Sequence, residues 1–346
     1  MDLKKSDFSM IENFQYGKSS ISKTTIKYHY TSPSAFLSII QSGKIRFTDA
    51  HFLNDRSEIV YFIKVLLDYL EMNENKYPLS TICIKELLSN HSLNDIKEMN
   101  VADIKFNYSF AKISSKGVKP KRHYVFCSCG DYDNLNMWNY YVNNGNYQGY
   151  NIGFNIKNLL NVFLSVDNKN YNDFRIYYGK VLYKPTEQQK EIEFFLKIIE
   201  KLLSESMDSV KDIANETLKD NFLNYGKLLL HNYIEKTSPF FKSKKFLTED
   251  EFRIVIEISE DCVPKNEQEA ASFFGPENGN MYEGFCAKNG LIVPFIQVEI
   301  PKNAIKQVTV SPIMEFEIAD KGINELLICS GIEDVEILHS EIPIRF

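Results

Sequence analysis

The sequence predicts a single large α+β domain with a mixed or antiparallel split sheet, its strands drawn from three separate stretches of chain with helical insertions between them. Three observations lead there. Runs of β-branched and aromatic residues gather between residues 24 and 47, between 123 and 183, and from 251 onward. Helical spacing dominates at about 58–118 and 186–236, and no Gly- or Pro-rich linker marks a boundary within the 346 residues. Residues 1–23 read as a polar N-terminal arm and 24–346 as the domain.

In chain order, "TTIKYHYT" reads as a strand feeding a short helix, "SPSAFLSIIQSG", with Ser32 as N-cap, Pro33 in the first turn and Gly43 as C-cap. "KIRF" is a second strand, and Asn54-Asp55 make a turn. The helix that follows carries Ile59, Phe62, Ile63, Leu66, Leu67 and Leu70 on one face, and residues from about 80 to 115 continue mostly helical. Short strands then occupy "HYVFCSCG", "YNIGFNI" and "FRIYYGKVLY", with about two helical turns in "NLNMWNYYVNN". After the second helical insertion the tail is strand-like: "EFRIVIEIS", "LIVPFIQVEI", "KQVTVSP" and "VEILHS".

Composition narrows the function classes. Hydrophobic residues at 44% and charged residues at 25% exclude a disordered or collagen-like chain. A net charge of −6 argues against broad adhesion to nucleic acid. The basic stretch "KGVKPKRHY", Lys116 to Tyr124, is the local exception and reads as a solvated loop before a strand. Six cysteines without paired metal spacing suit reduced thiols, and no stretch has the roughly 18 apolar residues of a membrane span, so a cytoplasmic protein with no membrane partner is expected.

The common signatures of phosphate loops, dinucleotide folds, zinc proteases and serine esterases are absent. Four clusters stand out instead. "YHYTS" places His29 on a strand, where a neutral imidazole both donates and accepts, although a lone strand histidine is more often structural. "FLNDRSE" holds Asn54, Asp55 and Glu58, which equally suit a turn and a helix N-terminus. "MWNYYVNNGNYQGYNIGF" holds the only tryptophan, whose ordinary fate is the core. "LTEDEFRIVI" alternates Glu249, Glu251 and Arg253 so that all three share one strand face; a surface ion-pair ladder is the plain explanation.

Together and in order, "KYHYTS", "QSGKIRFTDA", "LNDRSE", "FCSCGDYDNLNMWNYYVNNGNYQGYNIGF", "EDEFRIV" and "VTVSPI" resemble the DUF2971 family over about residues 26–313. Cys129 stands where that pattern has serine, and Ser311 where it has glycine. A more distant resemblance, His on a first strand, Tyr in an aromatic block and Glu in an E-x-E element, is to the H-Y-E type of the ADP-ribosyltransferase superfamily.

That resemblance implies an ADP-ribosyltransferase-like split sheet and an enzyme that cleaves NAD as substrate. It would transfer ADP-ribose to a macromolecular acceptor, protein or nucleic acid, in the manner of a toxin or anti-phage effector with an inhibitory or sensor partner. It casts Glu251 as the catalytic carboxylate, His29 as the ribose ligand, Tyr141 as the nicotinamide contact (with Tyr140 or Ser128 as substitutes) and Glu249 as the group that orients or deprotonates the acceptor. Tyr30, Thr31, Ser32, Arg46, Asn54, Trp138 and Arg253 would bind the dinucleotide, Arg253 either holding the glutamates or touching a phosphate. The rivals are an NAD glycohydrolase, a non-catalytic nucleotide sensor, and a metal-dependent nuclease built on Asp55, Glu58, Glu249 and Glu251.

Overall fold

The computed structural model describes residues 25–53, 58–87, 120–142, 146–166, 173–208, 216–288 and 290–344. The expected arm at 1–23, the Asn54-Asp55 turn and the part of the first helical insertion from 88 to 118 lie outside them. The chain begins with strand β1 (Ile26–Thr31), helix α1 (Pro33–Ser42) and strand β2 (Lys44–Asp49). Ser32 Oγ accepts from the Ala35 N–H at 3.3 Å, and Gly43, at φ 63°, closes the helix by donating to Ile39 O at 2.9 Å. Both caps are those the sequence predicts, and the left-handed turn is why glycine stands at 43.

Helices α2 (Glu58–Met72) and α3 (Pro78–Leu87) follow, then β3 (Lys121–Cys129), α4 (Leu135–Tyr141), β4 (Tyr150–Asn155), α5 (Ile156–Leu160) and β5 (Phe174–Lys180). The second half holds the long helices α6 (Pro185–Asp208) and α7 (Glu216–Thr237), strand β6 (Glu251–Ser259) and helix α8 (Glu267–Phe274). Strands β7 (Glu283–Lys288), β8 (Leu291–Glu299) and β9 (Ile305–Val310), helix α9 (Phe316–Ser330) and strand β10 (Glu336–His339) complete it. Two of these helices correct the expectation of a purely strand-like tail. In α9, Phe316, Ala319, Ile323, Leu326 and Leu327 recur with helical spacing and pack on the sheet, so burial of that face fixes the element.

All ten strands join one mixed sheet, in which β9 and β10 pair in parallel and the other pairs are antiparallel. Strand β6 lies between β3, where the sheet branches, and β5, and it is buried throughout. Its alternation sorts the two layers: Phe252, Ile254, Ile256 and Ile258 enter the core with Phe126, Phe154, Phe274 and Leu327, while Glu251, Arg253, Val255 and Glu257 face the helical layer. That layer is built by α2, α3, α6 and α7, where Phe62, Ile63, Leu66, Leu67 and Leu70 of the predicted face are fully buried against Leu196, Leu203 and Leu230. Each such side chain stabilises the fold by about 1.5–3 kcal/mol. The basic stretch before β3 ends in the sheet: Lys121 donates to Ser259 Oγ, and Arg122 bridges Asp49 and Glu283.

One feature of the pairing positions the site. Strand β6 takes one whole edge of β3, from Lys121 to Cys129, so β1 and β2 must share the other. Strand β2 pairs with Tyr124 and Val125, and β1 only with Cys129. Between them the edge of β3 at residues 126–128 is open, and the sheet forks.

Candidate functional site

At the fork lies a cavity of about 130 Å³ walled by His29, Arg46, Tyr141, Lys242, Glu251 and Arg253, with Lys288 also on its lining. Three of its side chains, Lys242, Glu251 and Arg253, come from the charged cluster on β6 and its approach. Glu251 is buried and held from both sides: Lys242 Nζ donates to Oε1 at 3.0 Å and Arg253 Nε to Oε2 at 2.6 Å, while its backbone N–H donates to Tyr183 Oη at 3.1 Å. Lys242 Nζ also donates to Glu249 Oε2 at 2.5 Å, and Tyr141 Oη donates to Glu249 Oε1 at 2.9 Å. Arg253 is 1% exposed and spends a second nitrogen, Nη1, on Pro239 O at 2.6 Å. Of its two expected roles, the guanidinium fills that of holding the glutamate.

This arrangement corrects two expectations. The charged residues are buried, so they form no surface ladder. Nor does strand alternation unite all three, because Glu249 closes a 3-10 turn (Lys244–Glu249) and β6 starts at Glu251. Between them Asp250 has φ 40°, and this left-handed residue turns Glu249 back toward Lys242. The turn sits tightly on the end of β3: Gly130 N–H donates to Asp250 O at 2.9 Å, and a Cβ at Gly130 would lie 1.9 Å from the Asp250 carboxylate.

The two carboxyls are driven apart in acidity. Burial pushes Glu249 up to about 7, and the neighbouring Glu251 carboxylate adds to the rise. Burial pushes Glu251 the same way, but Arg253 first and Lys242 second outweigh it and hold this carboxyl well below its usual range. One glutamate is thus an anion at every ordinary pH, and the other exchanges a proton near neutrality.

His29 reaches the cavity from the other side of the fork. Its Nδ1 lies 3.0 Å from Cys127 O, one of the carbonyls on the open edge, and its ring packs on Phe126 at 5.0 Å between centroids. A carbonyl only accepts, so Nδ1 carries the proton and Nε2 keeps its lone pair. Burial lowers its basicity, with Lys288 adding to the effect, which keeps the ring neutral. Register makes Tyr28 and Tyr30 share the sheet face of Cys129 and Glu251, opposite to His29. The expected opposition of tyrosines and histidine holds, but the fork exposes both sides, and all three residues line the cavity.

Several expected ligands lie elsewhere. Trp138 is fully buried, its Nε1 donating to Asp133 Oδ1 at 2.8 Å and its ring edge-on to Tyr30. Asp133 also accepts from Ser340 Oγ at 2.5 Å and from the Glu341 N–H at 2.7 Å, tying the segment after β10 to the aromatic block. Thr31 is buried at the end of β1, and Ser32 is engaged as the cap of α1. Tyr30 lines the cavity, but its hydroxyl is held by Asp131 O and the Asn134 N–H. Of the substitutes for Tyr141, Ser128 is on the cavity wall and donates to Phe252 O at 2.9 Å, whereas Tyr140 is 68% exposed and away from it. Asn54 and Asp55 lie outside the described residues, as does the side chain of Glu58; Glu249 and Glu251 of the nuclease proposal are bridged by an ammonium group. Ser32→Ala is therefore expected to lower stability by about 1 kcal/mol in a thermal melt and to leave ligand affinity unchanged, since only the cap is lost.

Lys242 and Lys288 are the site residues that sequence reasoning missed. Lys242 sits in "FFKSKKF" as one lysine among three. Only its flanks hint at burial, with Phe240 and Phe241 on one side and Phe246 beyond; the Phe246 ring lies 4.6 Å beneath its Nζ. Arg46 is on the cavity wall, its guanidinium 4.6 Å over the Phe295 ring.

Fold and site together define a mixed α/β protein with a polar cleft at a sheet fork. The sequence model of one family, described as a protein of unknown function (DUF2971), matches residues 137–254. That stretch takes in Trp138, Tyr141, Lys242, Glu249, Glu251 and Arg253 and leaves out His29 and Arg46, so it supports the family resemblance for the central third of the chain. No curated protein and no solved structure matches the chain.

Proposed function

We infer that the chain is an ADP-ribosyltransferase-like enzyme, cleaving NAD and passing ADP-ribose to a macromolecular acceptor. The observation that carries this reading is a buried glutamate, Glu251, held between Lys242 and Arg253 on the wall of a cavity that it shares with His29 and Tyr141. Breaking the bond between nicotinamide and ribose leaves positive charge on the sugar while the electron pair departs with the ring nitrogen. A fixed, desolvated carboxylate beside the ribose stabilises that charge where it develops.

Size and charge agree. The enclosed space of about 130 Å³ is slightly smaller than the roughly 150 Å³ cavity that takes a benzene ring, so only part of a nicotinamide ring enters it and the rest of the dinucleotide lies along the open mouth. Arg46 and Lys288 at the mouth suit its diphosphate. His29 Nε2 is an acceptor for a ribose hydroxyl, and the Tyr141 ring is offered to nicotinamide while its hydroxyl is held by Glu249. Glu249 stands behind Tyr141 and Lys242, so it takes the acceptor's proton through the Tyr141 hydroxyl.

Purified protein is expected to release nicotinamide from NAD, faster when lysate supplies an acceptor. The rate should rise about tenfold per pH unit as Glu249 ionises and level off above about pH 7. Glu249→Gln should lower the plateau and remove the slope. An absence of nicotinamide under every condition would leave a nucleotide-binding module as the better description.

A further inference from the structure

Lys242 has a geometry that neither its neighbours nor the inferred reaction requires of a surface lysine. Its side chain is 2% exposed, its Nζ is within 3.0 Å of both glutamates, and it stands on the cavity wall. The backbone around it is held as firmly as the side chain. The Lys242 N–H donates to Leu182 O at 3.2 Å, and Gln188 Nε2 donates to both Leu182 O, at 2.7 Å, and Lys242 O, at 3.0 Å. Gln188 belongs to α6 and accepts from Tyr61 of α2 at 3.1 Å, so this residue ties the helical layer to the site. The expected insertion at 186–236 is thus part of the machinery that sets the carboxylates.

The geometry points to Lys242 as the positioning residue of the site, a wedge carried by the helical layer that fixes Glu249 and Glu251 at one spacing and orientation and keeps their roles distinct. Without its charge, two carboxylates a residue apart would share Arg253 alone, and like charges in a buried site cannot both ionise freely. The groups facing the pair are Tyr141 from α4, Tyr183 from the segment before α6, Arg253 from β6 and Lys242 itself. Lys242 and Arg253 are the cations among them, and Lys242 touches both carboxylates. The catalytic side of this inference rests on the NAD-cleaving reading; the positioning of the two glutamates does not.

The test therefore has two readouts. In protein carrying carbon-13 in its glutamate carboxyls, with the Glu249 signal assigned by its loss in Glu249→Gln, Lys242→Met should move the Glu249 titration midpoint upward by about one pH unit. Lys242→Arg, which keeps the charge, should restore most of the shift. Gln188→Ala, which loosens the lysine without removing it, should give a smaller rise of the same sign and serves if the methionine variant does not fold. In nicotinamide release, Lys242→Met should lower kcat at least about tenfold with KM within about threefold, and shift the acid limb of the profile with the titration. Unchanged midpoints in the Met and Ala variants would overturn the proposal whether or not the protein acts on NAD. Shifted midpoints in a protein that releases no nicotinamide would uphold the positioning and reject the NAD reading.

Discussion

Glu251→Gln is expected to lower nicotinamide release by about 10²- to 10³-fold, with KM changed far less, because the lost charge matters most where positive charge develops on the ribose. The buried setting adds a second effect. Neutralising Glu251 removes the charge that Arg253 Nε and Lys242 Nζ both bond in a buried site, so stability should fall by about 1.5–3 kcal/mol. Glutamine keeps the shape of the side chain and can still accept from one of the two cations, which is why the chain should fold. Release must therefore be measured below the shifted melting point, with circular dichroism as control. A variant that is folded and releases nicotinamide at the wild-type rate would remove Glu251 from the reaction.

The largest loss of stability is expected from Arg253→Met. Arg253 is among the largest fully buried side chains, and its two short bonds join the start of β6 to the carbonyl of Pro239 after α7. Methionine fills much of the space but takes one of its two cations from a buried carboxylate and a donor from the Pro239 carbonyl, at a cost of about 3–5 kcal/mol. Denaturant unfolding should show it as a lower midpoint with an unchanged slope. Arg253→Lys should recover little, because an ammonium on a shorter, single-ended chain does not span Glu251 and Pro239 together. A midpoint within experimental scatter of wild type would mean that the network contributes nothing net to folding.

The local rules were readable where local physics decides. Ser32, Pro33 and Gly43 announce α1, and the spacing from Phe62 to Leu70 announces the buried face of α2, because caps and periodicity act over a few residues. Arrangements that depend on distant packing were not. Trp138 drew the eye as the only tryptophan, yet its aromatic mass is core and its nitrogen is used by Asp133 five residues away. Glu249 and Glu251 were found by spacing, but alternation gave the wrong reason for their proximity; a left-handed Asp250 supplies it, and nothing in "EDE" announces that turn. Lys242 acquires its role from Leu182, Gln188 and the two glutamates, none of which marks it in the sequence. His29 looked out of place among β-formers, and the open edge of β3 supplies what that oddity needed: a carbonyl for Nδ1 and a gap for the ring.

The fork in the sheet also imposes an order on biosynthesis. Strand β2 carries Arg46 and meets β3 through only Thr48 and Asp49, but pairs with β8 through five residues from Lys44 to Thr48. One jaw of the cleft is thus braced by a strand that ends at Glu299, and Lys288 arrives just before it. A ribosome that has made the first 250 residues has assembled neither Glu251 nor that brace. Such non-local pairing is slow to form, so the cleft closes only after β8 has left the exit tunnel. Until β8 has emerged, the charged cluster around Glu251 and the jaw that carries Arg46 are not held against each other.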